Sequence, residues 1–286
     1  MRVTPLALAL VVAAALLHAS WNALAKQGQD QFVFLWSSVT VGTLLLGPWA
    51  LRGLATDGFP TTAAPFVLAT VLIHALYFWA LGRAYRHGDF SRVYPIARGL
   101  GVALVPILAV PLLDERPSGL GAVGIVLVVL GITLLHRARD TRVAAQPGGH
   151  GTGWAILTGL TIAAYSLVDR AGVARLHPVP YIACLGAGSV LVLLPAVVAR
   201  RGALRREWTL NWRMILLAST MNLTAYLLVL FAFRLSKLGY VVAARELSIV
   251  FSTLIGGLWL REGHLGPRLT AATVVLAGVL LVATAR

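Results

Sequence analysis

Acidic side chains are scarce in this chain: ten Asp and Glu stand against 24 Lys and Arg, and charged residues of both signs reach only 12%. Soluble domains carry roughly a quarter, so this scarcity, with 58% hydrophobic residues, excludes an ordinary water-soluble fold. Cysteine is nearly missing as well. The one present, Cys184, has no partner for an intrachain disulfide and says nothing of redox compartment. No Cys/His cluster has metal-ligand spacing, and neither a His-Glu-x-x-His motif nor a carboxylate pair suited to magnesium occurs. We therefore expect no metal, no cofactor and no catalytic residues. Asp169 and Glu246 are the only acids expected inside apolar runs.

What the chain has in abundance is apolar sequence in long runs. A helix needs ~20 residues to cross ~30 Å of hydrocarbon, and ten runs reach that length, near 4–25, 31–51, 65–85, 93–113, 118–136, 153–173, 178–199, 213–233, 239–260 and 265–285. The first carries only Arg2 ahead of it and no small-residue cleavage site before a polar segment, so it reads as a retained helix. The net charge of +14 does not point to nucleic acid, because the cations sit in short loops and form no continuous face. They read as topology determinants. Fourteen follow odd-numbered spans, seven follow even-numbered spans or lie at the ends, and Arg98, Arg170 and Arg245 fall inside spans. The positive-inside rule then places the odd loops in the cytoplasm.

The chain also repeats itself, a feature that fixes architecture before any motif does. Ala84–Tyr85–Arg86 recurs as Ala232–Phe233–Arg234 at an offset of 148. Arg98 and Arg245, Leu100 and Leu247, Glu115 and Glu262, Gly119 and Gly266, and Gly131 and Gly278 match at 147. Five spans per copy is an odd number, which turns the second copy upside down in the bilayer. The expected fold is thus an all-α integral membrane protein of ten transmembrane helices, two inverted five-helix repeats around a central cavity. Residues 1–136 form the first repeat and 153–286 the second. The linker, 137–152, is marked by Pro147–Gly148–Gly149. A second basic break, Arg200–Trp212, is expected to lie along the lipid headgroups with Trp208 and Trp212 as anchors.

Polar residues within the spans carry the functional expectation, since an ionisable group at the bilayer centre costs ~2.5–3.5 kcal/mol. Arg98, one turn after Tyr94, and Arg245 each lie about 9 Å inside a span. As repeat mates they should face each other, and two cations in a dry cavity repel unless an anion lies between. A substrate carboxylate or phosphate fills that role, with Glu246 as counter-ion or proton carrier; the alternative is that each arginine snorkels to the interface. His18 and Asn22, His74 and Tyr77, Tyr165 and Asp169, and Asn222 and Tyr226 share helix faces in spans one, three, six and eight. We take these as substrate-binding candidates, with Asp169 alongside Glu246 for coupling; interhelical hydrogen bonding is the competing reading for each. Spans five and ten, nearly free of polar groups, read as lipid-facing or inter-repeat walls. Span four, with Pro95, Pro106 and Pro111, reads as the moving helix.

These pieces carry a resemblance. His18–Ala19–Ser20–Trp21–Asn22, the two Ala-aromatic-Arg span ends, the Glu115 and Glu262 turns and the Gly131 and Gly278 positions, in duplicated order, resemble the drug/metabolite transporter superfamily, in its branch built from two EamA-type repeats. The resemblance implies ten helices with spans three, four, eight and nine around the cavity. It also implies export or exchange of small metabolites such as amino acids, driven by proton or substrate gradients. It places both termini in the cytoplasm, opposite to the loop charges, and the two orientations stay open. The expected activity is secondary active transport of small polar metabolites bearing an anionic group, in the plasma (inner) membrane. The expected partners are a small-molecule substrate and the lipid bilayer, without nucleic acid, and the expected state is monomer or homodimer. A non-transporting scaffold or sensor, or an intramembrane enzyme, is the alternative.

Overall fold

The structure, a computed structural model, describes residues 4–25, 27–87, 90–137, 149–254 and 265–285, with side chains at all but 85, 90–95, 135–137, 149–150, 252–254 and 265–268. Among the described residues all regular structure is helical. The helices are α1 (Pro5–Ala25), α2 (Gln31–Asp57), α3 (Ala64–His87, preceded by a 3-10 turn), α4 (Phe90–Leu113), α5 (Gly119–Arg137) and α6 (Gly149–Val173). They continue as α7 (Pro178–Val198), α8 (Arg201–Leu235), α9 (Leu238–Ala244), α10 (Leu247–Leu254) and α11 (Leu265–Thr284). In a medium without water each backbone N–H and C=O must find a partner inside its own segment, which a helix provides. Among the described residues seven helices are long and apolar enough to cross a bilayer; α5 and α11 hold shorter apolar segments. The outer surface agrees: Leu44, Leu51, Trp49, Ile107 and Leu191 are all at least 66% exposed, a pattern that would aggregate in water.

Packing follows the repeat. At the 147–148 offset α1 corresponds to α6, α2 to α7, α3 to α8, α4 to α9 with α10, and α5 to α11. Helix α3 packs on α6 as α8 packs on α1, and α2 packs on α8 as α7 packs on α3. Helices α2 and α7 pair with each other, as do α5 and α11, the most extensive contact of all. The walls formed by spans five and ten therefore lie against each other. Glycine permits this approach: a Cβ on Gly278 would lie 2.7 Å from the carbonyl oxygen of Gly124 and 2.8 Å from the amide of Val128.

Three expectations are corrected. Span nine is not one helix. It stops at Ala244 and restarts at Leu247, and the amides of Glu246, Ser248 and Ile249 bond three residues back instead of four. No proline causes the break, whereas α4, with three, runs unbroken from Phe90 to Leu113. Secondly, span eight does not start near residue 213, because the basic stretch from Arg201 to Trp212 is already helical. It is the first part of α8, a helix of 35 residues, about 52 Å at 1.5 Å per residue. It is held by Trp208 donating to Ser37 Oγ at 3.1 Å. Thirdly, Asp169 and Glu246 are not the only buried acids. Glu207 is 0% exposed, accepting the Asp30 amide at 2.5 Å and Asn211 Nδ2 at 2.8 Å. Helix α6 also begins at Gly149, inside the expected linker, whose residues 138–148 lie outside the described residues.

Because the atoms facing Gly278 are backbone, they cannot turn aside. Gly278→Ala should lower the thermal midpoint in detergent by the equivalent of about 1–3 kcal/mol. Gly53→Ala, where a Cβ meets nothing within 4 Å, should leave it unchanged or raise it. Equal midpoints for the two variants would refute the close α5–α11 contact.

Candidate functional site

A cavity opens at the centre of the bundle where α1, α2, α3, α6, α7, α8 and the α9–α10 break converge. With its mouth and the open space before it, it holds about 670 Å³ unoccupied by atoms. Its wall is largely aromatic, formed by Trp21, Tyr77, Phe78, Tyr165 and Tyr226. His18, His74, Ser38, Thr43, Ser219 and Asn222 add polar edges, and Arg245 is its permanent cation. No Asp or Glu is among the lining residues. Repeat mates meet here: His74 and Asn222, like Phe78 and Tyr226, are 148 apart and all four line the space.

The two arginines have different surroundings. Arg98 forms a two-pronged pair with Glu246, Nη2 to Oε1 at 2.6 Å and Nε to Oε2 at 3.2 Å, with side-chain exposures of 7% and 3%. Its Nη1 lies 3.4 Å from His18 Nε2. The anion facing Arg98 is thus the protein's own, and Glu246 takes its hydrogen bonds from Arg98 in the other half of the chain, with its neighbour Arg245 acting on it through charge. Arg245, 6% exposed, lines the cavity with its guanidinium carbon 5.9 Å from the Tyr226 ring centroid, within cation–π range. The helix break explains the divergence. Two adjacent residues on a regular helix point about 100° apart, but here they occupy the turn between α9 and α10, where one lines the cavity and the other crosses to α4.

Asp169 is fully buried and accepts three hydroxyls: Thr70 Oγ1 at 2.5 Å, Tyr181 at 2.8 Å, and Tyr226. His74 Nδ1 lies 3.1 Å from the Thr70 carbonyl oxygen and 3.0 Å from its hydroxyl. A carbonyl only accepts, so Nδ1 carries the ring proton. A chain of polar contacts thereby leads from the cavity edge through His74 and Thr70 to Asp169, and returns through Tyr226 to Arg245. At the far end of α4, Glu115 clamps α6 and α9, taking Arg170 Nε at 2.9 Å and the Leu238 amide at 2.5 Å.

Of the residues singled out by sequence, His18, His74, Tyr77, Tyr165, Asn222, Tyr226 and Arg245 come together on the cavity wall. Arg98, Glu246 and Asp169 lie behind it. Asn22 does not line it; its Nδ2 donates to the His18 carbonyl oxygen at 2.8 Å. The Tyr94 side chain lies outside the described residues. Sequence reasoning missed Trp21, Phe78, Thr70 and Tyr181, and every contribution of α2 and α7. Trp21 was legible from its spacing of three after His18 and Phe78 as the mate of Tyr226. The hydroxyls of α2 and α7 gave no signal, since Ser and Thr are ordinary in membrane helices.

Removing one partner of a buried ion pair strands the other charge, at about 3–5 kcal/mol. Arg98→Gln and Glu246→Gln should each lower the thermal midpoint markedly, and the double variant should recover most of the loss. Additive losses would show that the pair does not couple the halves.

The EamA-like transporter family matches the chain twice, over residues 5–137 and 150–284. No curated protein matches it in sequence. A protein of known crystal structure, at 15% identity, superposes with a TM-score of 0.72 over 96% of this chain and 95% of its own, a likeness of fold alone. The double match leaves only 138–149 and the extreme ends outside it. With the apolar helices already described, this makes the protein a multi-pass integral membrane protein that belongs to the EamA-like transporter family.

Proposed function

We propose that the protein is a secondary active transporter of small polar metabolites carrying an anionic group, an exporter or exchanger in the plasma (inner) membrane. It works by alternating access between two inverted repeats of five spans each, with α9 and α10 together forming the ninth. One observation carries the substrate class: Arg245 is presented to an aromatic cavity whose lining includes no carboxylate. A cation without a lining counter-ion attracts an anion, and the aromatic walls suit a cargo with an apolar or planar body. Binding it there needs no chemistry on the cargo, so the protein is not an enzyme.

The helix break supports movement. Discontinuous membrane helices gather binding groups at the bilayer midplane in many transporters, and a short 3-10 stretch within a span is a common hinge. Glu246 is the proton carrier in this reading. Its protonation removes the charge that holds Arg98, loosening α4 from α9 and α10, so proton and cargo occupancy are linked through one ion pair. Asp169, held by three hydroxyls, keeps α3, α6, α7 and α8 in register around the cargo.

Comparing metabolites in expressing and non-expressing cells identifies the cargo, and proteoliposomes then test the site. Arg245→Gln should reduce uptake of the anionic cargo about thirtyfold or more, the loss expected when one partner of a buried charge pair is truncated. The thermal midpoint should hold, and an uncharged amide analogue should lose its disadvantage. Wild-type uptake by this variant would remove the anion site. The folded Arg98→Gln/Glu246→Gln double variant should lose pH-driven accumulation yet keep counterflow exchange; retained accumulation would exclude Glu246 as carrier.

A further inference from the structure

A second cavity lies at one end of the bundle, where the α1–α2 connection meets the last turns of α3 and the start of α8. It shares no lining residue with the central one. Three guanidiniums border it, those of Arg83, Arg86 and Arg200, against the single carboxylate of Asp30. That carboxylate is already committed. Its Oδ1 accepts the Val33 amide at 3.1 Å, capping α2, and its Oδ2 takes Arg200 Nη1 at 3.4 Å.

Arg83 is held by aromatic rings. Its guanidinium carbon lies 5.5 Å from the Trp79 ring centroid and 5.8 Å from that of Trp154, within cation–π range of both indoles. Its Nε is buried and, among the described residues, has no hydrogen-bond partner. A buried charged donor left unmet is rare in a finished structure. Arg86, three residues on, is exposed beside it. Two guanidiniums around one space, one of them held by aromatic rings, match a phosphate, with its several acceptor oxygens, better than a lone carboxylate.

We infer that this cavity binds a phosphate-bearing anion, held by Arg83 and Arg86 with Arg200 completing the positive wall. The phosphate belongs either to a free solute or to an anionic lipid headgroup, since the cavity lies at an end of apolar helices where headgroups and water both reach. Its occupancy ties the end of α3 to the α7–α8 connection and the α1–α2 turn, which Arg200 and Asp30 already join.

Delipidated protein in neutral detergent separates the sources through the thermal midpoint, read against pyrophosphate and against short-chain phosphatidylglycerol, with phosphatidylcholine as the neutral comparison. A saturable rise with both makes phosphate itself the ligand, and a rise with phosphatidylglycerol alone makes it a lipid site. In either case Arg83→Gln/Arg86→Gln abolishes the rise while Arg52→Gln, on exposed α2 surface, retains it. Should the double variant not fold, Arg86→Gln alone should weaken the apparent affinity about tenfold. No rise with either ligand, or an unchanged response in the arginine variants, overturns the site and leaves the central cavity untouched.

Discussion

A guanidinium and a carboxylate taken out of water must satisfy each other, and here Arg98 and Glu246 do so from opposite halves of the chain, 148 residues apart. Either charge alone would cost about 3–5 kcal/mol in this interior. The pair therefore requires α4 to lie against the α9–α10 turn, and the turn requires the ninth span to break. With Glu246 drawn to α4, Arg245 is left lining the cavity against Tyr226. Most features of the site follow from that one demand, including the absence of a carboxylate from its wall.

Symmetry supplies the scaffold and asymmetry the chemistry. Gly124 and Gly278 bring α5 and α11 together, and matched contacts of α3 with α6 and α8 with α1 enclose the space. Yet the mates on the wall differ in kind: His74 faces its counterpart Asn222, and Phe78 its counterpart Tyr226. Asp169 serves three hydroxyls on three other helices, while Asn22, its counterpart at 147, binds only within its own helix. A duplicated frame thus encloses one central cavity with unlike halves.

Much of this was legible in the residues. Run length and the offset repeat located most of the helices to within a few residues, α2 and α8 excepted, because backbone satisfaction in lipid leaves few choices. The face-sharing His, Asn and Tyr pairs pointed to the central space, because polar groups in spans turn inward. Pairing was less legible. Adjacency in sequence suggested Glu246 beside Arg245, whereas a long-range contact with Arg98 overrode it by breaking the helix. The extent of α8 was hidden because its basic first turns read as interface, while the buried anchor, Glu207, was one acid among many arginines. The helix break carried no proline or glycine to announce it.

The proposed alternating access requires two halves of opposite orientation in the bilayer, and sidedness tests that most directly. Asp57 closes α2 and Arg201 follows α7, its repeat mate, and both positions are exposed. Single cysteines placed at each, on a Cys184→Ser background, should differ toward an impermeant thiol reagent applied to intact cells. One labels, and the other labels only after the membrane is opened. Equal labelling of both from outside would place the two ends on one side of the membrane and contradict the inverted arrangement.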